Sequence, residues 1–78
     1  MSLNSQIPSH AVAVIPNDTT PIAGVALYIG GDGNVALRPE GSPNDAIFVG
    51  LKAGTVLPIR FTHIRATLTT ATNLVRMF

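Results

Sequence analysis

The chain lacks cysteine and tryptophan, contains a single lysine (Lys52), and carries few charges of either sign: Lys, Arg, Asp and Glu make up 12% of its 78 residues. Without cysteine, neither a disulfide framework nor a thiolate metal site can staple a small fold. The charges nearly cancel, at a formal net of +1. No basic run exists that would neutralise a row of phosphates, so nucleic acid is not an expected partner. No stretch reaches about 18 uninterrupted apolar residues, which argues against a transmembrane helix and a membrane partner. The first residues, Met1 to Pro8, have neither a basic region nor an apolar run and do not resemble a secretory signal.

Hydrophobic residues, by contrast, account for 46% of the chain. That composition excludes intrinsic disorder, which combines low hydrophobicity with high charge. It also fits poorly with a solitary soluble domain, whose surface wants about 25–35% charged residues. A chain of this length buries only roughly 60% of the surface its unfolded form exposes. Small chains without disulfides or metals commonly gain stability by oligomerising, and an obligate assembly is the expectation here.

Seven glycines and six prolines cut the sequence into short pieces rich in Val, Ile, Leu and Thr, none with a helical stripe. Strand-length runs fall at His10–Ile15, Ala23–Ile29, Asn34–Arg38, Ala46–Leu51, Val56–Ala66 and Asn73–Phe78. Turn signals every 8–12 residues or so predict an all-β fold, a small antiparallel β-sandwich or barrel of about six strands. Residues 1–9 lack periodicity and are expected to form an N-terminal arm, leaving 10–78 as a single β domain.

Gly30-Gly31-Asp32-Gly33 predicts a tight hairpin between Tyr28-Ile29 and Asn34–Leu37. Ala53-Gly54-Thr55 predicts a second turn, and Arg38–Asp45 a longer polar loop. In the fifth run, Leu57, Ile59 and Phe61 alternate inward, and Ile64 then breaks phase. A β-bulge near Thr62-His63 restores it. Pro58 cannot donate a ladder hydrogen bond, so its strand is an edge or is bulged there. The Thr67–Thr72 stretch reads as a strand edge or a loop. The candidate core is Val25, Leu27, Ile29, Val35, Leu37, Ile47, Val49, Leu57, Ile59 and Phe61.

Little in the sequence suggests catalysis, and no cofactor is expected. His10 and His63 form a site only if their strands are neighbours, and no His, Asp or Glu cluster has metal-ligand spacing. Asp18, Asp32, Glu40 and Asp45 sit in turn contexts. A phosphate cradle requires a helix after its glycines, whereas a strand follows Gly33. The segment Ala23-Gly24-Val25-Ala26-Leu27-Tyr28 resembles the first motif of the trimeric dUTP pyrophosphatases, with Ala26 where that family carries an acid. The alternative reading it supplies is a small β-barrel nucleotide-binding or hydrolysing module.

A broader pattern spans most of the chain. His10-Ala-Val-Ala-Val-Ile-Pro16 with Asp18, Ala26-Leu-Tyr-Ile-Gly-Gly31, Gly50-Leu-Lys-Ala-Gly-Thr-Val-Leu-Pro-Ile-Arg60, Ala66-Thr67, Thr69-Thr-Ala71 and Leu74-Val75 occur in this order. The series resembles the head-spike base proteins of tailed bacteriophages and gene transfer agents, most specifically over Ala53–Arg60. The resemblance implies a non-enzymatic structural protein of the virion, made and assembled in the host cytoplasm, and leaves its place open between a head-spike base at a vertex, a capsid decoration component and a tail-associated adaptor. The implied partners are further copies of itself in a ring (a pentamer at a vertex, or a trimer or hexamer), the major capsid protein or another virion protein, and a spike or fibre protein. Met77-Phe78 stands where family members often end in a larger aromatic.

Five residues are candidates for an oligomer or capsid interface: Tyr28, Arg60, Arg65, Arg76 and Phe78. Arginine suits bidentate pairing with a neighbour's carboxylates, and tyrosine suits an interface anchor. For Phe78 the leading expectation is that it closes the core at the end of the last strand, with docking on a neighbour as the alternative.

Overall fold

The computed structural model describes residues 8–78, which form two antiparallel sheets packed face to face and, among those residues, no helix. Seven strands follow one another: β1 (Ala11–Ala13), β2 (Ala26–Tyr28), β3 (Gly33–Pro39), β4 (Ala46–Leu51), β5 (Val56–Leu57), β6 (Phe61–Ile64) and β7 (Val75–Met77). One sheet, here sheet A, has the order β1-β7-β2-β5, and sheet B the order β4-β3-β6. The all-β sandwich expected from the spacing of turn signals is what the chain adopts.

The space between the sheets holds Leu27 and Ile29 from the β2 region, Val35 and Leu37 from β3, Phe61 and Ile64 from β6, and Ala71 and Leu74 ahead of β7. Full burial of each large side chain contributes about 1.5–3 kcal/mol. Gly24 exchanges two backbone hydrogen bonds with Phe61, at 3.0 and 3.1 Å, and the Ile22 amide donates to the Thr62 carbonyl. These bonds cover the outer edge of β6 and join the sheets at one corner.

Two strands depart from regular alternation for one reason. Between Arg38↔His63 and Pro39↔Phe61 the register takes one step on β3 and two on β6, so Thr62 is the additional residue. Phe61 and Ile64, three apart, are thereby both buried, as their phase break requires. In β4 the pairs Gly33↔Leu51 and Val35↔Phe48 leave an additional residue near Val49-Gly50. Gly50 takes a φ of 72° there, a conformation open to glycine at little cost, and Phe48 and Leu51 both pack against the core.

That second bulge corrects the predicted core. Ile47 and Val49 face outward, 49% and 73% exposed, while Phe48 and Leu51 take the inward positions. Leu27, Ile29, Val35, Leu37 and Phe61 are buried as expected, and Val25, Leu57 and Ile59 are partly buried. Ile64, Ala71 and Leu74 complete the core.

The hairpin predicted at Gly30–Gly33 does not form, because β2 and β3 belong to different sheets. The glycines instead allow two segments to touch. A Cβ on Gly30 would run into the Asn73 backbone, and one on Gly33 into the Ala71 backbone. Asp32 in this crossover accepts a hydrogen bond from the Ala53 amide at 2.7 Å, fixing the Ala53-Gly54-Thr55 turn, which is present as expected. The fifth predicted run is two strands: β5 ends sheet A, Pro58-Ile59-Arg60 turns the corner, and β6 enters sheet B. Pro58 thus follows an edge strand, where its missing N–H costs no ladder bond.

Thr67–Thr72 is a loop running beside β3. Thr69 Oγ1 and Thr70 Oγ1 accept from the amides of Ala36 and Asn34, at 3.0 and 2.9 Å, replacing a strand partner. The expected arm lies outside the described residues up to position 7. The Ser9 and His10 amides both donate to the Phe78 carbonyl.

Candidate functional site

Strand register determines what the molecule presents to its surroundings, because cross-strand partners share a face. Across sheet A one row runs Ala13, Val75, Tyr28, Val56, and the next runs Ala11, Met77, Ala26. Leu27 belongs to the opposite row and is fully buried, so these rows lie on the outer side of the sheet, where Ala26 is covered and the other six are half-buried or exposed. None of their seven residues is charged. Tyr28 and Val56 are 39% and 47% exposed. Tyr28, expected as an interface anchor, stands near the centre of this apolar face with Val75 on one side and Val56 on the other.

Arg76 and Phe78 lie on the other side of β7. Arg76 is in register with Val12 and Leu27 and is half-buried. Its side chain lines a shallow hollow with Val12, Val14, Pro21 and Ile22. Nη1 donates to the Ala23 carbonyl at 2.7 Å, and the guanidinium stands 4.6 Å from the centre of the Phe78 ring. Phe78 in turn stacks on His10, with ring centres 5.3 Å apart and planes 9° from parallel. It does not close the core as expected: it is 41% exposed, and Leu74 fills that place. A cation over an aromatic face and a stacked pair hold the chain end against β1.

The remaining arginines belong to the sheet B side. Arg65, its side chain 16% exposed, donates from Nε to Asp45 at 3.0 Å and from Nη1 to the Asp18 carbonyl at 2.6 Å. Asp45 also accepts from Arg38 at 3.3 Å. The Asp18 carboxylate accepts from the amide and the hydroxyl of Thr67, both at 2.8 Å. These contacts tie three loops together. The hydrogen bond from the Thr67 amide, followed by that from its hydroxyl, holds the Asp18 carboxyl below its ordinary 3.8. The hydrogen bond from Arg65 lowers Asp45 in the same way. Arg60 is exposed in the β5–β6 corner and borders an open hollow with Pro39, Glu40 and Pro58.

The five candidate residues are therefore not gathered into one patch. Tyr28 faces outward from sheet A, Arg76 and Phe78 pair at the chain end, Arg65 braces loops and Arg60 stands alone at a corner. His10 precedes β1 of sheet A and His63 lies in β6 of sheet B, and no group of three His, Asp or Glu residues gathers among the described residues. Ala26, at the position of the acid in the dUTP pyrophosphatase motif, is 8% exposed beside Met77, so no carboxylate is available there.

Sequence reasoning missed Val56 and Val75 as surface residues, although the outward phase of Val75 and Met77 follows once Leu74 is placed in the core. It also read Asp18 as an ordinary turn acid. Asp18 does sit beside a turn, where Asn17 Oδ1 accepts from the Thr19 and Thr20 amides, but no local signal marks its partner 49 residues away.

The geometry thus offers an uncharged outer face on sheet A and, among the described residues, no cluster of three His, Asp or Glu side chains. No family model matches the sequence, and no curated protein does. Among solved structures, the chain is similar to one in the capsid of a native GTA (gene transfer agent) particle computed with C5 symmetry. The TM-score is 0.82 at 30% identity, covering 100% of this chain and 90% of that one. The chain belongs to the family of that capsid chain, a small all-β virion protein of the phage and gene-transfer-agent type.

Proposed function

We propose that this chain is a structural, non-enzymatic subunit of the virion, forming a ring at the base of a head spike. The ring binds the capsid shell on one side and holds a spike or fibre on the other, and it assembles in the host cytoplasm. The observation that carries this reading is the uncharged outer face of sheet A, which leaves Tyr28 and Val56 exposed among the described residues. Apolar surface of this kind marks a protein interface. The C5 symmetry used for the neighbour's particle supports five copies, since a cyclic ring is a common closed assembly. Of the expected arm at residues 1–9, Ser9 is bonded to Phe78 of its own chain, and the part before it is the segment we assign to the adjacent copy or the shell.

Sedimentation of the purified chain at micromolar concentration, with and without emptied capsids, tests the proposal. A discrete ring, or a ring-sized complement of subunits bound at capsid vertices, is expected. A monomer that stays single and unattached in both conditions refutes it.

A further inference from the structure

A cyclic ring has a geometric requirement that a two-fold dimer lacks: each copy must offer two different surfaces, one for the copy before it and one for the copy after. The strands of this chain present two outward apolar patches, one on each sheet. The first is the sheet A face centred on Tyr28, Val56 and Val75. The second is Ile47 and Val49 on β4, 49% and 73% exposed at the open edge of sheet B. Val12, the other exposed large apolar strand residue, faces the hollow beside Arg76.

We infer that the β4 patch of one copy docks on the outer face of sheet A of the next copy, so that the ring closes head to tail. The inference rests on the ring reading above and specifies its interface and its occupant, a second copy of this chain. Three observations support it. The bulge near Val49-Gly50 turns Phe48 and Leu51 inward and leaves Ile47 and Val49 outside, so two large apolar side chains occupy an edge where a solitary protein places charge. The receiving rows contain no charge to desolvate. Finally, the two patches belong to opposite sheets of one sandwich, which prevents one copy from satisfying both by itself and directs each toward a different neighbour.

The test uses two single substitutions on the full chain, Val56→Glu on the sheet A face and Val49→Glu on β4. Both sites are exposed, so native circular dichroism is expected for each. Each variant alone is expected to sediment as a monomer under conditions where the native chain forms rings. An equimolar mixture is expected to form a one-to-one pair, because the intact β4 of the Val56→Glu chain meets the intact sheet A face of the Val49→Glu chain. The pair cannot extend. A Val49→Glu chain that forms native rings, or a mixture that stays monomeric, overturns this inference and leaves the ring reading intact. A native chain that never assembles, on capsids or off them, overturns both.

Discussion

The two sheets treat their outer faces in opposite ways. The outer side of sheet A presents six half-buried or exposed residues without a charge, whereas the sheet B side carries Arg38, Asp45 and Arg65, joined to one another and to Asp18. On the sheet B side, side chains and loops of the same molecule satisfy the polar groups, and water solvates the rest. Sheet A has no such provision. A protein with about one charge in eight residues (12%) cannot clothe both faces, and this one concentrates its charge where the loops are. The uncharged face of sheet A is then available to receive a neighbour, and on sheet B only the β4 edge with Ile47 and Val49 is comparably apolar among the described strands.

The largest effect comes from breaking what the sheets share. Phe61 is buried in the core and bonded through its backbone to Gly24. Phe61→Ala is expected to lose about 3–5 kcal/mol of stability in equilibrium denaturation, and a loss under about 1 kcal/mol contradicts its placement. Next comes a charge placed on each side in turn. Tyr28→Glu buries an unpaired carboxylate in any assembly that covers sheet A. It is expected to weaken association roughly a hundredfold with little change in folding, measured by sedimentation over a dilution series. Glu40→Lys, an exposed change in the sheet B loops, is expected to leave the same series unaltered. If both changes act alike, the contrast between the faces is wrong.

A smaller effect sharpens the crossover between the sheets. Gly30→Ala forces a methyl group against the Asn73 backbone and is expected to cost about 1–3 kcal/mol. Gly41→Ala, with open space around the new methyl, is expected to stay within about 0.5 kcal/mol of native. Thermal or urea unfolding of the two variants side by side decides the matter.

The smallest effect belongs to the charged loops. Asp18 and Asp45 both titrate below 3.8 in the folded chain. A depressed carboxyl favours the folded state when ionised, so its contribution is complete above the unfolded value. It is lost as pH falls through the lowered folded value. Stability is expected to decline below about pH 4 and to decline less steeply in Asp18→Asn, as followed by denaturation midpoints between neutral pH and pH 2. An equal slope in both chains removes Asp18 from the account. Assembly through sheet A, whose outer rows carry no carboxylate and no histidine, is expected to track only the fold over that range.

Where the sequence was legible, the signal was local. The phase break between Phe61 and Ile64 announces a bulge in one strand, and Pro58 announces an interruption, because both are read within a few residues. In Ala46–Leu51 the alternation of Ile47 and Val49 pointed to the wrong face, because the bulge that turns Phe48 and Leu51 inward has no proline or phase break of that clarity to announce it. The Gly30–Gly33 segment misled because glycine serves two purposes, positive φ in a turn and close approach of backbones, and local sequence does not distinguish them. Arg65 and Asp18 were identified as charged residues, but their partners are 20 and 47–49 positions away. Long-range pairing of that kind leaves no periodic trace.

Composition and alternation alone determined that this chain is all-β and short of charge, since burial and solvation depend on residue type summed along the chain. Only the tertiary structure decided which face is left bare, because pairing Val75 with Tyr28 and Ala13, and turning Val49 outward, are consequences of register between strands distant in sequence.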